Sequence, residues 1–132
     1  MKLGLVCAEF NKDVTGKMKK KTKEKAEDLG ADYETLEVAG VYDTVLPAER
    51  FARRSDIDAV VVIGAIIKGD TAHDEVIGHS VASKLKDVEL KNDKPVSLGV
   101  TGPGMTQDEG RERIHYGAEA VEAAVQTLEE IE

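Results

Sequence analysis

Ala59-Val60-Val61-Val62-Ile63-Gly64-Ala65-Ile66-Ile67-Lys68-Gly69-Asp70-Thr71-Ala72-His73-Asp74-Glu75 is the stretch on which the fold turns. It opens as an unbroken apolar, β-branched run, the pattern of a strand buried on both faces in a parallel sheet covered by helices. The run breaks at Lys68-Gly69-Asp70. Asp70 and Thr71 are both favoured helix caps, and a helical pattern follows at Val76, Ile77, Ser80, Val81, Leu85 and Val88. Strand, tight glycine turn and helix are therefore expected in succession. Backbone N–H groups at such a helix start can bind an anion, and His73 sits in the first helical turn beside them.

The same alternation extends on either side. Leu3 to Ala8 reads as a first strand, ended by Glu9-Phe10-Asn11. A helix is expected to about Leu29, with an apolar stripe at Val14, Met18, Thr22, Ala26 and Leu29, stopped by Gly30. Tyr33 to Val38 alternates as a second strand, and Ala39 to Asp43 forms a turn. Thr44 is placed to cap a helix reaching about Arg54, in whose first turn Pro47 is tolerated because those N–H groups lack intrahelical partners. Val96 to Val100 reads as a fourth strand and Thr101-Gly102-Pro103-Gly104 as a loop. Thr106 and Glu109 match a capping box. The last helix, expected to break near Gly110 or Gly117, buries Ile114, Val121, Ala124, Val125 and Leu128.

Four βα units in a row imply an α/β protein: a three-layer α/β/α sandwich on a four-stranded parallel sheet, flavodoxin-like, with right-handed crossovers. The 132 residues suit one domain spanning 1–132. A formal net charge of -8 argues against a general binder of nucleic acid or membrane surfaces. The N-terminus does not read as a signal peptide, and no apolar segment is long enough to span a membrane. The single cysteine, Cys7, lies in an apolar run, so no disulfide framework exists and a reducing, cytoplasmic setting is expected. The lysine-rich run from Lys17 to Lys25 reads as a solvated helix face.

Ligands of such folds bind at the carboxyl ends of the strands, and the unusual residues fall there. Phe10-Asn11 follows strand one, Gly40 to Asp43 strand two, Lys68 to His73 strand three, and Thr101 to Gly104 strand four. Each has two readings. Phe10 is a stacking platform or loop packing. Asp43 is a ligand contact or a helix cap. His73 is a proton carrier beside an anion site or a surface histidine. Arg111 and Arg113 grip a phosphate bidentately or solvate a helix. His73 and His79 lack zinc-ligand spacing, and the chain has no His-Glu-x-x-His, Walker loop or Gly-x-Gly-x-x-Gly, so no metal site or nucleotide cofactor is expected.

Four blocks together resemble the lumazine synthase family in its archaeal form, across essentially the whole chain. They are Glu9-Phe10-Asn11, Gly40-Val41-Tyr42-Asp43, Gly64 to Asp74, and Gly102-Pro103-Gly104-Met105-Thr106. The Gly-x-x-Ile-Lys-Gly-x-Thr-x-His block is the specific one. The resemblance implies condensation of 5-amino-6-(D-ribitylamino)uracil with 3,4-dihydroxy-2-butanone 4-phosphate, the penultimate step of riboflavin synthesis, without metal or redox cofactor. Carried over by motif, Phe10, beside Asn11, stacks on the pyrimidine. Gly40, Val41 and Asp43 hold the ribityl chain, and Ile66 and Ile67 line the pyrimidine pocket. Gly69, Asp70, Thr71 and Arg113 bind phosphate, and His73 moves protons. Leu98 stands where many relatives place an aromatic from a neighbouring subunit.

The sequence departs from the family pattern in places: Ala39 precedes Gly40, the acid is Asp43, proline is displaced to Pro47, and Glu119 stands near a family lysine. The resemblance also implies pentamers with sites between subunits. Shell-forming relatives have a compact connection like that from His115 to Gly117, so the resemblance further implies an icosahedral shell of pentamers, with riboflavin synthase as a partner of the assembly. The other readings are an archaeal riboflavin synthase-like enzyme, against which the His73 block argues, a flavodoxin-like ligand-binding or signalling module, and a non-catalytic shell protein.

Overall fold

A computed structural model describes residues 1–68 and 73–132. Its strands are β1 (Lys2–Ala8), β2 (Asp32–Val38), β3 (Ala59–Ile67) and β4 (Val96–Met105). Its helices are α1 (Lys12–Asp28), α2 (Val45–Ala52), α3 (His73–Asn92), α4 (Gln107–Glu112) and α5 (Tyr116–Ile131). The sheet is parallel, in the order β2-β1-β3-β4. This is the α/β flavodoxin-like architecture the sequence implies.

Direction of winding sets the layers. The chain steps from β1 outward to β2, then returns past β1 to β3 and on to β4. Right-handed crossovers therefore put α1 on one face and α2 and α3 on the other. The two cores follow this division. Leu3, Leu5, Val61 and Ile63 pack with Val14 and Met18 of α1 and Val121 and Val125 of α5. Val6, Val60 and Val62 pack with Phe51 of α2 and Val81 and Leu85 of α3. Central β1 and β3 are buried almost throughout, as their apolar runs require, while edge strand β2 has no buried residue.

Several local expectations need correction. The segment from Thr101 to Gly104 is not a loop: β4 runs on through it to Met105, and Lys68 N–H donates to Met105 O at 2.7 Å. The ladder shifts register between Ala65 and Ile67. Gly102, at φ +95°, lies so close to β3 that a Cβ there would fall 2.2 Å from Ile66 O. Only glycine fits that conformation and that approach.

In α1, Leu29 lies beyond the helix and is exposed, whereas Thr15 joins the buried stripe. In α3, Val76 and Ser80 face solvent. Helix α2 stops at Ala52; Thr44 stands at its N-cap as expected, but its hydroxyl donates back to Val41 O at 2.7 Å and makes no side-chain cap bond. The break in the last helical segment falls between the two glycines, at residues 113–115. The Thr106–Glu109 capping box forms with both bonds at 3.2 Å. The expected cap at Asp70 or Thr71 lies outside the described residues.

Candidate active site

The winding direction reverses between β1 and β3, so the connections leaving their carboxyl ends run to opposite faces of the sheet and leave a crevice. A cleft of about 270 Å³ opens there, lined by Phe10, Asn11, Gly40, Val41, Tyr42, Asp43, Ala65, Ile66, Ile67, His73, Asp74 and Ile77.

Backbone pairing builds its first wall. Beyond the ends of β1 and β2, Phe10 N–H donates to Ala39 O at 2.9 Å, and Glu9 N–H to Val38 O at 2.9 Å. This zips the loop after β1 to the loop after β2 and brings Phe10 beside Gly40. The Phe10 side chain is 64% exposed, with its ring against the Gly40 backbone. Asn11 takes the left-handed conformation (φ 66°), which asparagine tolerates better than most residues. Its side-chain amide donates to Ala65 O at 3.1 Å and ties the start of α1 to the end of β3.

The second wall is a single 3-10 turn, Val41–Asp43. Asp43 Oδ2 accepts the Gly40 N–H at 3.1 Å, so the carboxylate closes its own turn while its residue lines the cleft. Of the two sequence readings of Asp43, the structure forms the cap-like bond within the turn. Gly64 gives Val41 its seat: a Cβ on that glycine would fall 2.7 Å from Val41 Cγ2.

His73 and Ile77, one turn apart on α3, complete the enclosure with Ile66 and Ile67 of β3. The cleft thus gathers Phe10, Asn11, Gly40, Val41, Asp43, Ile66, Ile67 and His73. It does not include Leu98, half-exposed on β4 opposite Val62, nor Arg113 at the end of α4. Gly69, Asp70 and Thr71 lie outside the described residues. Tyr42, Ala65, Asp74 and Ile77 are additions. Ile77 was legible as the residue four beyond His73, while Ala65 required the Asn11 contact.

The two arginines differ in their partners. Arg111 is bound to Asp13 at 2.9 Å and Asp108 at 2.6 Å. Arg113 has longer contacts, 3.4 Å to Glu109 and 3.9 Å to Met105 Sδ. A phosphate has less to displace at Arg113. Cys7 is buried, and burial pushes its thiol up to about 11, which leaves it unreactive at neutral pH. Among the described residues no cluster of three or more His, Cys, Asp or Glu is placed to hold a metal. No described helix is long and apolar enough to cross a membrane.

A larger groove of about 950 Å³ runs between α2 and α3, lined by Tyr42, Leu46, Pro47, Lys84 and Lys91 among others. It shares Tyr42 and Asp43 of the turn but not Phe10 or His73, which line the smaller cleft.

A doubly wound sheet with an aromatic, a glycine turn and a histidine at its switch point defines a small-molecule site of the α/β class. A family model described as 6,7-dimethyl-8-ribityllumazine synthase matches residues 1–132. Proteins of that name resemble the chain over nearly its full length. The one from Halobacterium salinarum is 52% identical, covering 98% of each chain. That from Methanococcus aeolicus is 48% identical, covering 99% of this chain and 97% of its own. That from Methanocaldococcus jannaschii is 47% identical, covering 98% and 92%. The chain belongs to the 6,7-dimethyl-8-ribityllumazine synthase family.

Proposed function

We propose that the cleft between β1 and β3 is where this chain condenses 5-amino-6-(D-ribitylamino)uracil with 3,4-dihydroxy-2-butanone 4-phosphate. The product is 6,7-dimethyl-8-ribityllumazine, made with release of phosphate, and the chain is a transferase of riboflavin biosynthesis. The observation that carries the assignment to this cleft is the convergence of Phe10, the Gly40–Asp43 turn, Ile66, Ile67 and His73 in one crevice.

The exposed Phe10 ring stacks on the pyrimidine, with Asn11 beside it, and Ile66 and Ile67 supply the apolar floor. Gly40, Val41 and Asp43 hold the ribityl chain. The amine attacks the ketone to form a Schiff base, phosphate is eliminated, and the ring closes and dehydrates. Protons move to and from nitrogen and oxygen near neutral pH, a task suited to the His73 imidazole. Gly69, Asp70, Thr71 and Arg113 receive the phosphate, by helix-start N–H groups and a guanidinium. Holding two substrates in line supplies most of the acceleration.

The whole chain, 1–132, acts as a single cytoplasmic domain in a ring of five. Two features support the ring. Leu98 and Arg113 lie away from the cleft of their own chain, where a neighbour can use them. Tyr42, Leu46 and Val76 also leave large apolar side chains exposed. Such rings assemble into a closed shell able to associate with riboflavin synthase.

The test is to mix the protein with both substrates and follow lumazine absorbance and phosphate release. Product above the spontaneous rate is expected, and its absence would sink the enzymatic reading in favour of a shell protein without activity.

A further inference from the structure

We infer that Asp74 is a positioning residue, one that clamps the first turn of α3 to β4 and thereby sets where His73 stands in the cleft. The inference rests on the reading of His73 as the proton carrier. The first N–H groups of a helix have no intrahelical partner, so a helix start keeps a fixed position only through outside anchors. Two such anchors join α3 to the glycine-proline segment of β4. Asp74 Oδ2 accepts the Gly104 N–H at 3.0 Å, a charge-assisted bond across two elements far apart in sequence.

One turn later Pro103 packs on the bare backbone of Gly78. A Cβ there would fall 2.7 Å from Pro103 Cδ and 2.9 Å from Cγ. Segment 102–104 is in turn pressed against β3, at the close approach of Gly102 to Ile66 O. The order of contacts is therefore β3, glycine-proline segment, start of α3. His73 is the residue next to Asp74, and both line the cleft. Geometry at a reacting centre is demanding, and a displacement of about 1 Å can cost on the order of 10²-fold in rate.

The test compares Asp74→Ala, Asp74→Asn, Gly78→Ala and His73→Ala in the full-length protein, with far-ultraviolet circular dichroism and light scattering confirming fold and assembly. Asp74→Ala is expected to lower kcat about 10-fold with KM for the butanone phosphate within about 2-fold. Asp74→Asn should recover most of the loss, because an amide oxygen can still accept the Gly104 N–H. Gly78→Ala should reproduce the kcat loss by pushing Pro103 off the helix, and combining it with Asp74→Ala should add little. Wild-type kcat in Asp74→Ala beside a slow His73→Ala overturns the clamp and leaves the role of His73 standing. Equal damage in Asp74→Asn and Asp74→Ala overturns the hydrogen bond as the device. A wild-type His73→Ala removes the reading of His73, and the inference with it.

Discussion

The Phe10 ring lies so close over Gly40 that a Cβ on that glycine would fall 2.7 Å from Phe10 Cδ2 and 2.8 Å from Cε2. Gly40 itself is in ordinary extended backbone (φ -141°, ψ 174°), so the glycine makes room for a ring and not for an unusual turn. The first prediction follows. Gly40→Ala should displace the ring and raise KM for the ribitylaminouracil about 2- to 12-fold, equivalent to the ~0.5–1.5 kcal/mol of an aromatic pair. Phe10→Ala should do the same, and the double variant should be little worse than either, since both changes remove one contact. Steady-state kinetics on the four proteins decides it. Fully additive effects would mean that the glycine acts through something other than the ring.

Arg111 and Arg113 are separated by their partners. Arg113→Ala should weaken the butanone phosphate by about 2–5 kcal/mol, the loss typical of one member of a desolvated charge pair. Inorganic phosphate should also cease to compete in that variant. Arg111→Ala breaks contacts with Asp13 and Asp108. Those are solvent-exposed surface contacts, so the change should lower stability slightly and leave KM alone. The reverse outcome would move the phosphate contact to Arg111.

What the sequence disclosed and what it hid divide along a physical line. The nine-residue strand β3 was legible because burial on both faces demands an unbroken apolar run. The Thr106–Glu109 box was legible because both its bonds are local. Continuation of β4 through Gly102 and Pro103 was hidden. Those residue types signal turns, and the reason for them is a close approach to Ile66 from another strand. Periodicity also overcounted the core at Leu29 and Val76, since it names a face but not where that face ends. At the site, Phe10, the Gly40 turn and His73 were readable as strand-end residues. Ala65 was not, because its place in the cleft is marked by the Asn11 amide reaching it from an element distant in the chain.

At the amino ends of the strands, away from the cleft, Arg54 binds Asp56 at 2.7 Å and Glu34 at 2.8 Å, and Lys2 joins both at 3.3 Å. The Arg54 hydrogen bond, with help from Lys2, holds the Asp56 carboxyl well below the usual carboxylate range, and Glu34 is lowered by the same two partners. A carboxyl with a depressed folded-state pKa stabilises the fold above its unfolded value, here near 3.8 for aspartate. That contribution is lost as pH falls through the folded value. Asp56→Asn should therefore be less stable than the parent at pH 7. The gap should close as the pH falls below about 4. Urea unfolding at a series of pH values gives the comparison, and a gap constant with pH would show that the charge on Asp56 contributes nothing. Turnover at pH 7 should be unchanged, because the cluster stands at the other end of the sheet.

The last prediction concerns where one site ends and the next begins. His73 lines the cleft, whereas Arg113 closes α4 and does not, and Leu98 faces outward from edge strand β4. An interface that pairs two different surfaces of identical chains generates a ring when the rotation closes. In such a ring the cleft of one chain meets the Arg113 of the next. His73→Ala and Arg113→Ala chains should each be defective alone. After dissociation and random reassembly of equal amounts, about one quarter of the sites should combine an intact His73 with an intact neighbouring Arg113. Activity should rise accordingly on mixing, and mass-tagged subunits should confirm that exchange took place. Light scattering after size exclusion should give a multiple of five chains. Proven exchange without recovery, or full activity in a monomer, would show that both residues serve the site of their own chain.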